Sequence, residues 1–291
     1  MKASRLTLGT VQFGMNYGIA NTQGKPSFEK VVGILSAAYE HGIRYLDTAA
    51  GYGDSEIVLG KALKEIGILD SVKIVSKISP VPKEASDDEI RTHVRRSLGK
   101  SLENLGVSKL YAILFHVEDD VRYLPILREC VADGMAEKAG VSLDSHVPEE
   151  ANHCDAVQVP DNVLDRRFLP FLKEAHGRGT HIFVRSVYLQ GLLLMPEEKI
   201  PEKLSDVIPY RRKLEQIAAA NGMTLSELCM RYLLSIPEID SVLTGVDSVE
   251  QLQTNVALAE RGALPAAVMD EIFEAIPDLP ERLIRPCKWN K

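Results

Sequence analysis

Short apolar runs and longer stretches of helical period alternate along the chain from end to end. Runs rich in Val, Ile and Leu, each four to six residues long, predict strands at Leu6–Thr10, Arg44–Thr48, Lys73–Ile78, Tyr111–His116, Lys138–Ser142, Ala156–Pro160, His181–Ser186 and Ser241–Thr244. Between them the apolar positions recur every three or four residues. Ser27 caps a predicted helix that turns Phe28, Val31, Val32, Leu35, Ala38 and Tyr39 to one face and stops at Gly42. Ser86 and Glu89 have capping-box spacing ahead of Val94, Leu98, Leu102 and Leu105. Further helices are predicted from Ser55 and over 120–133, 164–178, 210–221, 224–234, 248–261 and 266–275, and Gln190–Asp206 reads as a surface loop.

Strand–helix alternation of this kind predicts a parallel sheet. Eight units over nearly 300 residues favour closure into a single (β/α)8 TIM barrel covering residues 1–291, an α/β fold with its active site at the C-terminal strand ends. A doubly wound open sheet is the competing arrangement. It would carry a G-x-G-x-x-G turn after the first strand, and the one G-x-G of this region, Gly51–Gly53, lacks the third glycine.

In a barrel the strand ends are where chemistry is sought. Strand two ends at Asp47 with Tyr52 in the loop beyond, strand three carries Lys77, and strand four runs into His116. Singly, each has an ordinary explanation: a helix cap, a packed ring, a solvated charge, a hydrogen-bonding imidazole. Together they suit proton delivery to a carbonyl oxygen. A free phenol, with a pKa of about 10, is a poor acid at neutral pH. A neighbouring ammonium is expected to pull it down, and Asp47 to keep that ammonium charged and oriented. His116 is then placed to hydrogen-bond the substrate oxygen.

These residues, with the words LDTAAGYGDSE (46–56), SLENLG (101–106) and HVED (116–119), resemble the aldo-keto reductase superfamily, (β/α)8 barrels that use NADPH or NADH. The resemblance runs from LGTVQFG to NVALA (255–259) and implies Asp47, Tyr52, Lys77 and His116 as the catalytic set. It also implies a cofactor site. Ser142 and Gln158 match residues that hold the nicotinamide carboxamide, although Leu143 stands where an asparagine often follows the serine. The segment VRSVYLQGLL contributes Arg185, Ser186, Leu189 and Gly191, with Arg185 in place of a stacking tyrosine. Gly245, Val246, Ser248, Gln251 and Asn255 match the loop and helix that hold the adenosine phosphates. Gly245 and Gln251 stand where some branches have basic residues. The resemblance favours NADPH, with NADH open.

Composition narrows the alternatives. A net charge of −7 with no basic face argues against nucleic acid or an anionic membrane as partner. No apolar run reaches the length of a membrane span, and the N-terminus lacks the pattern of a signal peptide, so the expected location is cytoplasmic. Cys130, Cys154, Cys229 and Cys287 are scattered, with neither zinc spacing nor a disulfide framework. The expected partner is a small carbonyl or alcohol substrate. Two other functions fit the same residues: a nucleotide-binding regulatory subunit with little turnover, and an unrelated barrel lyase or isomerase using Lys77 as a Schiff-base amine. The hairpin that plugs the barrel floor in many relatives is expected to be reduced or absent. No substrate-loop role is read for the tail after Ala275, where Trp289 reads as a packing or exposed residue ahead of one lining the pocket.

Overall fold

The structure is a computed structural model describing residues 4–19 and 24–289. Eight parallel strands close into a barrel in chain order: β1 (Leu6–Gly9), β2 (Tyr45–Asp47), β3 (Lys73–Ile78), β4 (Leu110–Phe115), β5 (Ala136–Ser142), β6 (Ala156–Pro160), β7 (His181–Arg185) and β8 (Ser241–Gly245), with β8 returning to β1. The helices are α1 (Val11–Gly14), α2 (Phe28–Glu40), α3 (Ser55–Glu65), α4 (Asp87–Leu105), α5 (Leu124–Ala132), α6 (Leu169–Gly177), α7 (Ile208–Ala220), α8 (Leu225–Leu234), α9 (Val249–Glu260), α10 (Ala266–Ala275) and α11 (Glu281–Ile284). No helix among the described residues is long and apolar enough to cross a membrane.

Successive strand residues point to opposite faces, and this alternation divides the core. A small cluster of Val75, Tyr111, Ala112, Leu114, Ala156 and Phe183, with Tyr45 packed on it, is separate from the much larger layer between sheet and helices. Moving two residues along from Tyr45, Val75, Leu114, Ala156 and Phe183 gives Asp47, Lys77, His116, Gln158 and Arg185. The same face that fills the barrel therefore delivers the candidate polar groups to its C-terminal mouth. Near the opposite end, Tyr111 Oη and His181 Nδ1 are 3.0 Å apart, and His181 stacks on Phe183 at 4.4 Å.

Local signals explain the elements. Ser27 accepts from the Lys30 amide, and Ser86 and Glu89 form a reciprocal capping box at α4. On α2, Val31, Leu35 and Ala38 are buried as expected, joined by Ile34 and Ala37, whereas Phe28, Val32 and Tyr39 are half-buried.

Three expectations need correction. The stretch 120–133 divides into a 3-10 turn, Glu118–Tyr123, and α5, which begins with Leu124–Pro125, where the proline's missing amide costs nothing. The helix expected from residue 164 starts only at Leu169, again with a proline in its first turn. The preceding chain is instead held by Asn162, whose side-chain oxygen accepts the Leu164 and Asp165 amides. Gln190–Asp206 is not a solvated excursion. The segment, in which 3-10 turns alternate with irregular chain, buries Leu192, Leu193, Met195, Ile200 and Leu204. The tail after α10 folds back as well, burying Leu283, Ile284 and Trp289.

Candidate active site

Lys77 is fully buried and Asp47 is 3% exposed. Lys77 Nζ donates to Asp47 Oδ1 at 2.7 Å and to the Thr48 carbonyl at 2.9 Å, so the ammonium is neutralised and hydrogen-bonded where water cannot reach it. Burial works against the Lys77 charge, but Asp47 and then Tyr52 outweigh it and raise the pKa above the usual lysine value.

Tyr52 lies in the turn between β2 and α3, its amide bonded to the Ala49 carbonyl and its carbonyl accepting from Ser55 N. Gly14 makes this turn possible. A Cβ on Gly14 would sit 1.8 Å from the Tyr52 carbonyl oxygen, and one on Gly53, where φ is +59°, would sit 2.6 Å from the Gly14 carbonyl oxygen. Lys77 Nζ is 5.1 Å from the Tyr52 ring centroid, and the His116 ring meets Tyr52 edge-on at 5.6 Å. The four residues expected to share one site do so.

The electrostatics correct one expectation. Lys77 does draw the Tyr52 phenol toward ionisation, but burial pushes the other way and wins, leaving the pKa above 10. Tyr52 is thus held protonated. His116 is driven down to about 4 by burial, Lys77 and Arg185, so its imidazole is neutral at physiological pH.

Several supporting residues were not singled out from the sequence. Thr10 Oγ1 donates to the Asp47 carbonyl at 2.9 Å, and Ser55 Oγ donates to the Thr10 carbonyl at 2.7 Å. Glu56 is buried and accepts from Ser76 Oγ (2.7 Å) and Asn104 Nδ2 (3.0 Å), which ties α3 to β3 and α4 directly behind the site. The words containing Glu56 and Asn104 were visible; their pairing was not. Glu118 accepts the Ser145 amide at 2.8 Å and so fixes the loop after β5.

Among the cofactor candidates, Ser142 and Gln158 are direct neighbours in the β5–β6 register and both are buried. Gln158 Nε2 donates to Asp47 Oδ1 at 2.7 Å. Arg185 is ion-paired, its Nη2 donating to the Leu143 carbonyl (2.9 Å) and to Asp144 Oδ1 (3.1 Å). Its charge acts on both Tyr52 and His116, which places it at the same mouth. Ser186, Leu189 and Gln190 have positive φ, Leu189 is buried, and Gly191 closes the turn with φ +92°. Asn255 is buried and accepts from Tyr188 Oη at 3.0 Å. In the loop after β8, Val246 is buried, Ser248 caps α9 by accepting the Gln251 amide, and Gly245 is exposed at the strand end against Gln12. Gln12 Oε1 and Asp247 Oδ1 are buried there without a hydrogen-bond partner. Two orphaned polar atoms at the mouth edge fit a polar ligand with donors to offer, as a nucleotide has.

The parallel eight-stranded barrel thus carries a tyrosine, an imidazole and a carboxylate-paired lysine together at its C-terminal mouth. The chain matches the Aldo/keto reductase family over residues 5–277 and belongs to that family. It is 26% identical to L-galactose dehydrogenase of Arabidopsis thaliana, with 97% of this chain and 92% of that protein covered. It is 24% identical to a probable voltage-gated potassium channel subunit beta of the same plant, with 96% of each covered. The fold matches the holo form of an aldo-keto reductase from Bacillus halodurans with a TM-score of 0.79, at 22% identity over 97% and 96% of the two chains.

Proposed function

We propose that this protein is an NAD(P)H-dependent oxidoreductase that interconverts a carbonyl compound, an aldehyde, ketone or sugar, and the corresponding alcohol. The observation that carries this reading is the buried Lys77–Asp47 pair set 5.1 Å from the ring of Tyr52, with neutral His116 on the ring's other contact. A lysine is placed in so costly an environment when its charge is needed beside a group that becomes negative.

Ser142, Gln158 and the loop after β8 are the residues that would hold the cofactor, whose nicotinamide supplies the hydride when bound. In the carbonyl-reducing direction Tyr52 gives its phenolic proton to the carbonyl oxygen as the carbon receives the hydride, completing the C–OH group. The Lys77 ammonium stabilises the phenolate left behind, which regains a proton from solvent. Asp47 keeps Lys77 charged throughout. Neutral His116 donates one hydrogen bond to the same oxygen and fixes its position. In the alcohol-oxidising direction the tyrosine takes the proton back.

A panel of carbonyls with NADH or NADPH, and of alcohols with the oxidised cofactors, read by nicotinamide absorbance, tests the proposal. Turnover that a Tyr52→Phe protein loses while still binding cofactor supports it. Nucleotide binding without turnover across the panel would instead favour a regulatory role, the kind of protein the channel-subunit relative is named for.

A further inference from the structure

We infer that the loop joining β8 to α9 selects NADH over NADPH, with Asp247 accepting the adenosine ribose 2′-hydroxyl and repelling a 2′-phosphate in its place. This deepens the reading above and rests on it, because it takes the nucleotide's adenosine end to lie at this loop.

Charge is the first argument. From Ser241 to Glu260 the chain contains no Lys or Arg, but it contains Asp247, Glu250 and Glu260. A 2′-phosphate carries close to two negative charges at neutral pH, as other phosphomonoesters do. The resemblance alone favoured NADPH; the residues that stand here do not supply a counter-charge. The cation that acts on Glu250 from the neighbouring helix is Lys30 on α2, which there already faces a carboxylate.

The second argument concerns donors. A helix N-terminus can bind phosphate through its free amides. Here one of those amides is already used inside the cap, Gln251 N donating to Ser248 Oγ at 3.3 Å, and the Gln251 side chain turns back to accept Asp247 N at 2.8 Å. Glu250, in the first turn of α9, offsets the positive end of the helix dipole, and its pKa is lowered by the Ser248 hydroxyl and its own backbone amide.

Steric fit at Gly245 is the third. A Cβ added to Gly245 would lie 2.5 Å from Gln12 Nε2 and 2.7 Å from Gln12 Oε1. A basic side chain at this position has to displace the Gln12 amide first. Asp247 Oδ1, buried and without a partner, supplies the acceptor that a hydroxyl satisfies and a phosphate does not. A carboxylate that accepts a ribose 2′-hydroxyl is also the way dinucleotide-binding proteins of another fold choose NAD.

Calorimetric titration of the full-length protein with NADH and with NADPH, without any substrate, tests this. The dissociation constant for NADH is expected to be lower by about tenfold or more, the scale of a charge-repulsion effect near a protein surface. The gap should narrow as salt is raised. Asp247→Asn should tighten NADPH and weaken NADH. Glu250→Gln, at an exposed position, should tighten NADPH alone. Equal or tighter binding of NADPH by the wild-type protein overturns the selection while leaving the oxidoreductase reading intact, and so does a ratio that neither substitution moves. Failure of both nucleotides to bind the wild-type protein overturns both readings.

Discussion

Gln158 Nε2 donates to Asp47 Oδ1 at 2.7 Å, and the same oxygen accepts from Lys77 Nζ at 2.7 Å. One carboxylate oxygen therefore joins β2, β3 and β6. The glutamine that sequence resemblance assigns to the nicotinamide is already bonded to the residue that holds the lysine. The proposed hydride and proton sites share this atom as a structural link.

Breaking that link should be costly. Either Asp47→Asn or Lys77→Met leaves an uncompensated charge in a site with almost no solvent, a loss of about 3–5 kcal/mol for such pairs. The double variant restores neutrality and should be destabilised by much less than the sum of the two. Urea denaturation of the four proteins reads the coupling directly. Additive losses would mean that the two residues do not form a mutually dependent buried pair.

His116 should titrate far below an ordinary histidine. Burial, Lys77 and Arg185 together lower it to about 4, so the ring should be neutral through the physiological range. NMR titration of the imidazole protons is expected to show a midpoint near that value, and carbonyl reduction should not lose rate to His116 protonation until the pH approaches it. Arg185→Ala removes one of the cations and should raise the midpoint. A midpoint close to the free value of about 6.5 would show that His116 is solvated and not enclosed with Lys77.

Asp144 connects the mouth to the C-terminal tail. It pairs with Arg185 at 3.1 Å and with Arg285 at 2.9 Å, and Cys287 Sγ is 3.3 Å from its second oxygen. Burial works to raise its pKa, but the two arginines prevail and hold the carboxyl at about 2. A depressed carboxyl contributes stability above its unfolded pKa of about 3.9, and that contribution is lost as the pH falls through the folded value. Asp144→Asn should therefore lower Tm at neutral pH, with the difference from wild type closing between about pH 4 and about pH 2. Proteolysis of the segment after Pro280 should quicken in the variant. A Tm difference that is constant with pH would exclude the ion pairs as its source.

The barrel was legible because its signals are local. Eight apolar runs, hydroxyl caps at Ser27, Ser86, Thr224 and Ser248, and Gly106 in a left-handed C-cap all act within a few residues. The convergence of Asp47, Tyr52, Lys77 and His116 was legible because each stands at the C-terminal end of one of three successive strands or in the turn just beyond it. What escaped was non-local or energetic. Glu56 finds Ser76 and Asn104 at separations of 20 and 48 residues, and Asp144 finds Arg285 at 141. Tyr52 was expected to be more acidic because its charged neighbour can be read from the order of residues, whereas the desolvation that outweighs that neighbour depends on how the mouth closes. The segment Gln190–Asp206 misled for a related reason. Its prolines and charges mark turns, but only the fold shows that the leucines between them have a core to enter.

Asp161 offers the opposite pH signature to Asp144. It follows β6 and is fully buried, and neither carboxylate oxygen makes a hydrogen bond of good geometry, the buried Tyr232 hydroxyl being the neighbour that favours its ionised form. Burial, with nearby Asp165 adding to it, pushes its pKa well above the ordinary carboxyl value. A raised carboxyl favours the folded state below the unfolded pKa, and this contribution is lost as the pH rises toward the folded one. At neutral pH the group is a cost, because the unfolded chain can ionise it and the folded chain resists doing so. Asp161→Asn keeps the shape and removes the ionisation. It should raise stability by about 1–2 kcal/mol at pH 7 to 8, with no gain at pH 4 or below. Thermal melts of both proteins across that range decide it. A destabilised Asn variant at neutral pH would mean that the carboxylate is ionised and has a partner, in which case it belongs with the ion pairs of the barrel mouth.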